Sequence, residues 1–271
     1  MNRFATVLTA LALLLALVGA NLCFTRRAVL PTVGTDSPML SAALVAMGGS
    51  RGIVSEVLWW RIADLQRQNR YAELVPLTDL LVALDPASAD TWVYNAWNLT
   101  YNISAAHHDD VEKWRWVKRG IELLERGLRA TPRAEPILRQ LGWTFEDKIA
   151  GTSDTSAAYY RAHLMELPLP ADAAAFATRL GCSPDWRNPR IRALYWYDRA
   201  NHAQDTLRTL MALFAEGVPE AMVSYLVVTV RQAWNDLAVR QQTQVYGFLQ
   251  QLHAAHPQLD ELATLLQEVA L

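Results

Sequence analysis

The eight residues "LRQLGWTF", Leu138–Phe145, decide how the rest of the chain is read. Leu138, Leu141 and Phe145 recur at helical spacing and so share one face of a helix. Gly142 lies beside them without a side chain. This predicts that a second helix approaches closely there, with Leu141 and Phe145 filling the seam. Pro132 stands six residues before Leu138, at the end of "WVKRGIELLERGLRATP", which also has helical period. A helix closed by proline and followed by a helix that opens on a large apolar residue makes one unit of structure.

The same order occurs one step earlier. "NRYAELVPLTDLLVALDP" ends at Pro86, and Trp92 follows six residues later. "SEVLWWRIADLQRQ" precedes it as a further amphipathic helix, and Leu58 to Pro86 is 28 residues. Pro76 predicts either a helix that starts late, near Leu74, or a kink. These motifs resemble the tetratricopeptide repeat (TPR), whose first helix carries W-x-x-L-G-x-x-Y and whose second ends in proline. The resemblance implies an all-α fold, a TPR-like α-solenoid of antiparallel helix pairs over residues 55–271. The chain also departs from the pattern. Trp92 to Pro132 is 40 residues, an excess of about twelve over the first unit that falls on "SAAHHDDVEKW". Arg61-Ile62 replaces the expected Leu-Gly. Later pairs are looser: 190–217, then 219–257, then "QLDELATLLQEVAL" as a final capping helix. Between them "PLPADAAAFATRLGCSPDWRNP" predicts a short Ala-rich helix and a loop. "YLVVTV", Tyr225–Val230, is too short to span a membrane and continues the helical patterning.

The resemblance also implies a concave face lined by the second, fifth, ninth and twelfth positions of each unit. Carried over, unit one presents Glu56, Trp59, Ala63 and Gln66. Unit two presents Asp90, Val93, Trp97 and Thr100. Unit three presents Pro136, Arg139, Trp143 and Glu146, and the looser fourth unit Ile191, Tyr195 and Asp198. The candidate partner groove is therefore Trp59, Val93, Trp97, Arg139, Trp143 and Tyr195. Its core is a column of aromatics, Trp97, Trp143 and Tyr195, with Trp59 nearby. The basic carboxylate clamp of the family is missing from these positions. Large rigid rings suit an extended or helical apolar peptide, and less readily a sugar. The competing reading is that the rings pack between helices, since Trp is usually mostly buried.

The first 54 residues have a different character. A basic start leads into an apolar run from Phe4 to about Phe24, closed by Arg26-Arg27. The run is long enough to cross a bilayer, and it also resembles a secretory signal with Val18-Gly19-Ala20 before a cleavage point. Residues 1–30 are thus expected to be a signal-anchor or signal segment, and 31–54 a Pro-, Gly- and Ser-containing linker. "GGSRG", Gly48–Gly52, is a hinge; it lacks the Lys-Ser/Thr ending of a phosphate loop. Arg3 opposes Arg26 and Arg27 across the run, so the charge bias is nearly balanced. The expected location is a single-pass membrane anchor with the bulk outside the cytoplasm, on the periplasmic side.

Composition narrows function by exclusion. Without Arg3, Arg26 and Arg27 the chain holds 22 basic residues against 27 acidic ones. A nucleic-acid surface is not expected, because neutralising phosphates needs a clustered basic excess. Two cysteines exclude a disulfide framework and a Cys-rich zinc site. His107-His108-Asp109-Asp110 is the nearest approach to a metal cluster, but adjacent histidines on a helix cannot converge, and a solvated loop is expected. His253 and His256 sit near a helix end, where His commonly meets the last carbonyls. Asn98-Leu-Thr100 and Asn102-Ile-Ser104 match glycosylation sequons by accident of a helix. Asn95 takes a position usually held by Leu, and with Asn98 and Asn102 predicts a polar seam needing partners. No nucleophile elbow, dinucleotide or kinase motif occurs. The expectation is a membrane-tethered protein–protein interaction or scaffold module, without catalysis, cofactor or metal. The alternatives are an accessory subunit of a membrane transport or envelope-assembly complex and a carbohydrate-active enzyme.

Overall fold

The computed structural model describes residues 51–270 apart from 133, 218 and 219. The expected membrane segment and the linker at 31–50 lie outside the described residues. Every regular element among the described residues is helical. No helix among them is long and apolar enough to cross a membrane. The described residues fall into two compact units, one running to Asn95 and including Arg129–Arg133, the other made of Ala96–Leu128 and the chain from Ala134 onward.

In the first unit, α1 (Arg51–Arg67) and α2 (Tyr71–Leu84) form a hairpin. Leu58, Ile62 and Leu65 of α1 are buried, as are Leu74 and Leu81 of α2. The turn is closed by Asn69 at φ 56°, with its N–H on the Gln66 carbonyl and the Arg70 N–H on the Leu65 carbonyl. Asn tolerates this left-handed conformation, which ends a helix without a glycine. Pro76 lies within α2, which starts at Tyr71 and not near Leu74. α3 (Ala89–Trp97) begins in this unit. Trp92 is buried there and its indole N–H donates to the Pro86 carbonyl at 2.9 Å. The proline–Trp spacing seen in the sequence is thus a hydrogen-bonded corner.

The second unit opens with a π-helical continuation of α3, here π1 (Asn98–Ile103). α4 (Asp110–Ala130) follows, then α5 (Glu135–Trp143), which also widens into a π segment, π2 (Thr144–Ile149). Beyond come α6 (Ala157–Ala162), α7 (Ala173–Leu180), α8 (Pro189–Arg199), α9 (Ala203–Ala215), α10 (Val223–Ala233), α11 (Val239–Ala255) and α12 (Asp260–Glu268). The α8–α9 turn repeats the α1–α2 device: Asn201 has φ 52°, and the His202 N–H reaches the Tyr197 carbonyl. "YLVVTV" lies in α10 with Leu226, Val227 and Val230 buried.

α8 is the hub of this unit. It packs on α5, π2 and α9, and seven consecutive residues, Ile191 to Tyr197, are buried. Gly142 makes the α5 contact possible: a Cβ there would stand 2.5 Å from the Tyr197 ring. Leu141 and Phe145 are buried beside it, as their spacing predicted. Gly120 of α4 does the same at π1, where a Cβ would meet Thr100 Oγ1 at 2.1 Å and the Ala96 carbonyl at 3.0 Å.

Candidate functional site

Trp97 and Trp143 remain at the surface, 38% and 44% exposed. Each is the last α-helical residue before a π segment. Between them stands Tyr101. Its ring stacks on Trp97, with centroids 5.9 Å apart, and its hydroxyl donates to Asp147 Oδ2 at 3.0 Å. Lys148 Nζ lies 5.2 Å from the Tyr101 ring and pairs with Asp154 at 2.6 Å. Burial, and then the Asp147 charge, push the Tyr101 phenol far above its ordinary range. Tyr101 therefore stays neutral, stacked on Trp97 and bonded to Asp147 of π2. Sequence reasoning missed this residue, although its position four after Trp97 was the available signal.

Arg139 lies on the exposed side of α5 beside a charge network on α9. Its Nε reaches Asp205 Oδ2 at 3.1 Å. Asp205 also takes Arg208 Nη1 at 2.6 Å, and its backbone N–H donates to His202 Nδ1 at 3.4 Å. Arg208 Nη2 then reaches Glu146 at 2.6 Å, and Glu146 accepts from the Tyr197 hydroxyl and Thr209 Oγ1, both at 3.0 Å. Burial would lower the Arg208 guanidinium, but its hydrogen bond to Glu146 and the charges of Glu146 and Asp205 outweigh it and hold the pKa above the usual value. Burial and Glu146 push the Tyr197 phenol up. The paired groups of this network present fixed charge and shape on the surface of α9.

The aromatic column stops at Trp143. Tyr195 is 1% exposed and cannot meet a partner. The segment read as a short helix and loop folds over it. Phe176 and Trp186 pack on its ring at 5.3 and 5.9 Å, and its hydroxyl donates to Asp172. Arg192, also buried, holds that cover down through the Leu167, Pro168 and Trp186 carbonyls. With no carboxylate in that set, burial pushes the Arg192 pKa down to about 10. Thr100 is also buried, whereas the helical count turned it toward the groove. A π turn holds more residues, so each advances by a smaller angle and the third residue after Trp97 falls farther from its face.

In the first unit Trp59 and Val93 are half-buried, and Trp59 stands edge-on to Tyr94 at 4.7 Å. The neighbouring Trp60 is the exposed indole. Asn95 donates to the Thr91 carbonyl at 2.8 Å, yet its Oδ1 is buried without a partner. Asn98 is fully buried, so its sequon is inaccessible. The His107–Asp109 stretch is a loop, with His107 against the Trp116 ring. Among the described residues no group of three or more His, Cys, Asp or Glu converges on a metal position. His256 pairs with Glu220 rather than with a helix carbonyl.

A pocket of about 340 Å³ opens elsewhere in the second unit, lined among others by Arg179, Asp198, Asn201, His202, Tyr225 and Val228. Asp198 is held at 2.6 Å by both Arg179 and the Tyr225 hydroxyl. Of the sequence-named positions only Asp198 reaches it. Arg179 and Tyr225 come from separate helices with no shared spacing, so nothing local in the sequence marks them.

Compared with known proteins, the chain matches no family model, no curated protein and no solved structure.

Proposed function

We propose that this chain is a membrane-tethered, TPR-like α-solenoid that binds another protein through exposed aromatic side chains and catalyses nothing itself. The observation that carries the reading is the pair Trp97 and Trp143, exposed at equivalent places on two helices, with Tyr101 stacked on the first and bonded to Asp147 one turn beyond the second. Rigid indoles lose little conformational freedom on binding and are the commonest energetic anchors of interfaces. The hairpins α1–α2 and α8–α9, with their matching Asn turns, support the repeat reading. The apolar run 4–24 supports the tether, with the helical domain outside the cytoplasm. The partner is a protein offering an apolar peptide or helix face, itself integral to the membrane in the accessory-subunit version.

The test is a pull-down from detergent extracts with wild type and a Trp97→Ala/Trp143→Ala variant. The variant is expected to lose the partner while keeping its helical circular dichroism. Recovery of the same partners by both forms, or of none by either, overturns the proposal. An unfolded variant would show that the rings are core.

A further inference from the structure

The 340 Å³ pocket of the second unit carries a charge arrangement of its own. Arg179 of α7 and Asp198 of α8 stand side by side on its wall, Nη2 to Oδ2 at 2.6 Å. Both are braced. The Tyr225 hydroxyl donates to Asp198 Oδ1 at 2.6 Å, and the Arg179 guanidinium lies 5.5 Å from the Phe176 ring centre. The pair still meets solvent, with side chains 43% and 19% exposed. Arg179 uses one of its five N–H groups on Asp198, and among the described residues the others have no partner. Each Asp198 oxygen keeps a second lone pair. The hydrogen bond to Asp198 holds the Arg179 pKa above its usual value, so the guanidinium stays charged. A fixed cation beside a fixed anion selects ligands by the order of their charges. A lone carboxylate on Arg179 would also face Asp198, and a lone ammonium on Asp198 would also face Arg179. Like charges this close repel about as strongly as unlike ones attract. A zwitterion avoids both repulsions. Bond geometry puts the ammonium nitrogen and a carboxylate oxygen of an α-amino acid roughly 2.7 Å apart. Laid against the wall pair, the four groups alternate in sign around a ring.

We infer that this pocket binds a free α-amino acid with an amide side chain, its carboxylate on Arg179, its ammonium on Asp198 and its amide against Asn201 and Gln232. The side-chain part follows from what adjoins the pocket. A cleft of about 450 Å³ shares Asn201, His202 and Gln232 with it and adds Gln204 and Asp236. The Gln204 amide donates to the Asp236 carbonyl at 2.9 Å. The side-chain amides of Asn201 and Gln232 have no partner among the described residues. An amide offers donors at one end and an acceptor at the other, so two of them pair reciprocally with a third. The described residues lining the cleft include no Lys or Arg to take an acidic side chain. This site stands apart from the Trp97–Trp143 reading and needs neither a protein partner nor a tether, so either can fail alone.

The test is isothermal titration calorimetry on the full chain in detergent. L-Glutamine is expected to bind. Glutaramate lacks its ammonium and 4-aminobutanamide lacks its carboxylate. Each should bind about ten-fold more weakly or worse, the loss of one charged hydrogen-bonded contact. Asn201 has φ 52°, so Asn201→Gly keeps the left-handed turn and removes only the amide. It should weaken L-glutamine about five-fold and leave L-alanine unchanged. Arg179→Met should abolish binding of both. Circular dichroism reads whether that variant folds; if it does not, the two analogues and Asn201→Gly decide. No binding of L-glutamine overturns the inference. So does equal affinity for either analogue, or an affinity unmoved by Arg179→Met in a folded variant. Glucose bound in place of L-glutamine assigns the pocket to neutral hydroxyls and rejects the zwitterion.

Discussion

"WNLTYNI" (Trp97–Ile103) and "WTFEDKI" (Trp143–Ile149) carry the same backbone, and Tyr101 in the first bonds Asp147 in the second, 46 residues on. Both enter as α-helix and widen to π. Both expose the Trp and bury the next two residues and the closing Ile. They differ in what their polar groups meet. In π1, Asn98 Nδ2 and Thr100 Oγ1 are buried without partners, and Asn98 Oδ1 takes only Asn102 Nδ2 at 2.6 Å. In π2, Thr144 bonds the Gln140 carbonyl, Glu146 has three partners and Lys148 is paired with Asp154. The leftover donor there, Gln140 Nε2, lies before the π segment. One wide turn is held by packing against α4, the other by charge and hydrogen bonds to its neighbours. Stability should therefore respond to polar substitutions in π2 and hardly at all in π1.

The largest test of that difference is Lys148→Met against its counterpart Asn102→Ala. Lys148 and Asp154 are 6% and 16% exposed, and removing the lysine leaves a carboxylate in a poorly hydrated place. Breaking such a pair costs about 3 kcal/mol or more. Asn102 is half-exposed, and its loss should cost no more than about 1 kcal/mol. Urea unfolding followed by circular dichroism reads both. Comparable losses would show that the two turns are held alike.

Next come the two glycines. Gly142→Ala would drive a Cβ into the buried Tyr197 ring, which has no room to turn. Overpacking of this kind costs about 1–3 kcal/mol, more than the roughly 1 kcal/mol of helix propensity that alanine returns. Gly120→Ala meets a Thr hydroxyl that can rotate and a carbonyl at 3.0 Å. It should fall well below Gly142→Ala in the same urea series. The reverse order would place the tighter contact at π1.

A smaller effect separates the turns by pH. Burial alone would raise the Asp154 carboxyl, but Lys148 and the Ser156 amide outweigh it and hold the pKa below its ordinary value. A depressed carboxylate adds stability above its unfolded pKa, near about 3.9, and loses it as pH falls through the folded value. The wild type should therefore lose this increment only below about pH 4. In Lys148→Met the Ser156 amide is left as the main group opposing burial, and acid unfolding should begin at higher pH. An unchanged acid limb would mean that Lys148 does not set the Asp154 carboxyl.

These contrasts also mark what the sequence could reveal. Gly142, Leu141 and Phe145 were legible because a small residue between large ones at helical spacing has one reading. Trp92 after Pro86 was legible for the same reason. The π turns were not: periodicity cannot register one extra residue in a turn, so Thr100 was placed on the surface. Tyr195 was misplaced because its cover, Asp172, Phe176 and Trp186, comes from a segment whose composition resembles a loop. Unit position put Trp97 and Trp143 at the surface, but Tyr101, which stacks on Trp97, lay outside that rule. The Asn95–Asn98–Asn102 seam was legible as a demand for partners. That part of the demand goes unmet, at Asn95 Oδ1 and Asn98 Nδ2, appears only in three dimensions.

The smallest expected effect is the most pointed. Asn98→Leu removes a fully buried amide whose Nδ2 has no partner. An unsatisfied buried donor costs about 1–3 kcal/mol, and an apolar side chain of similar volume avoids that cost. The substitution also orphans Asn102 Nδ2, but Asn102 is half-exposed and can turn to water. The two effects nearly cancel, leaving a change within about 1 kcal/mol, on the stabilising side. At the matching place in π2, Thr144→Val loses the bond to the Gln140 carbonyl and should cost about 1 kcal/mol. Opposite signs at equivalent positions would confirm that π1 is held by packing and π2 by polar contacts. A loss above about 2 kcal/mol for Asn98→Leu would mean that its amide is satisfied after all, by a buried water, and the contrast between the two turns would fail.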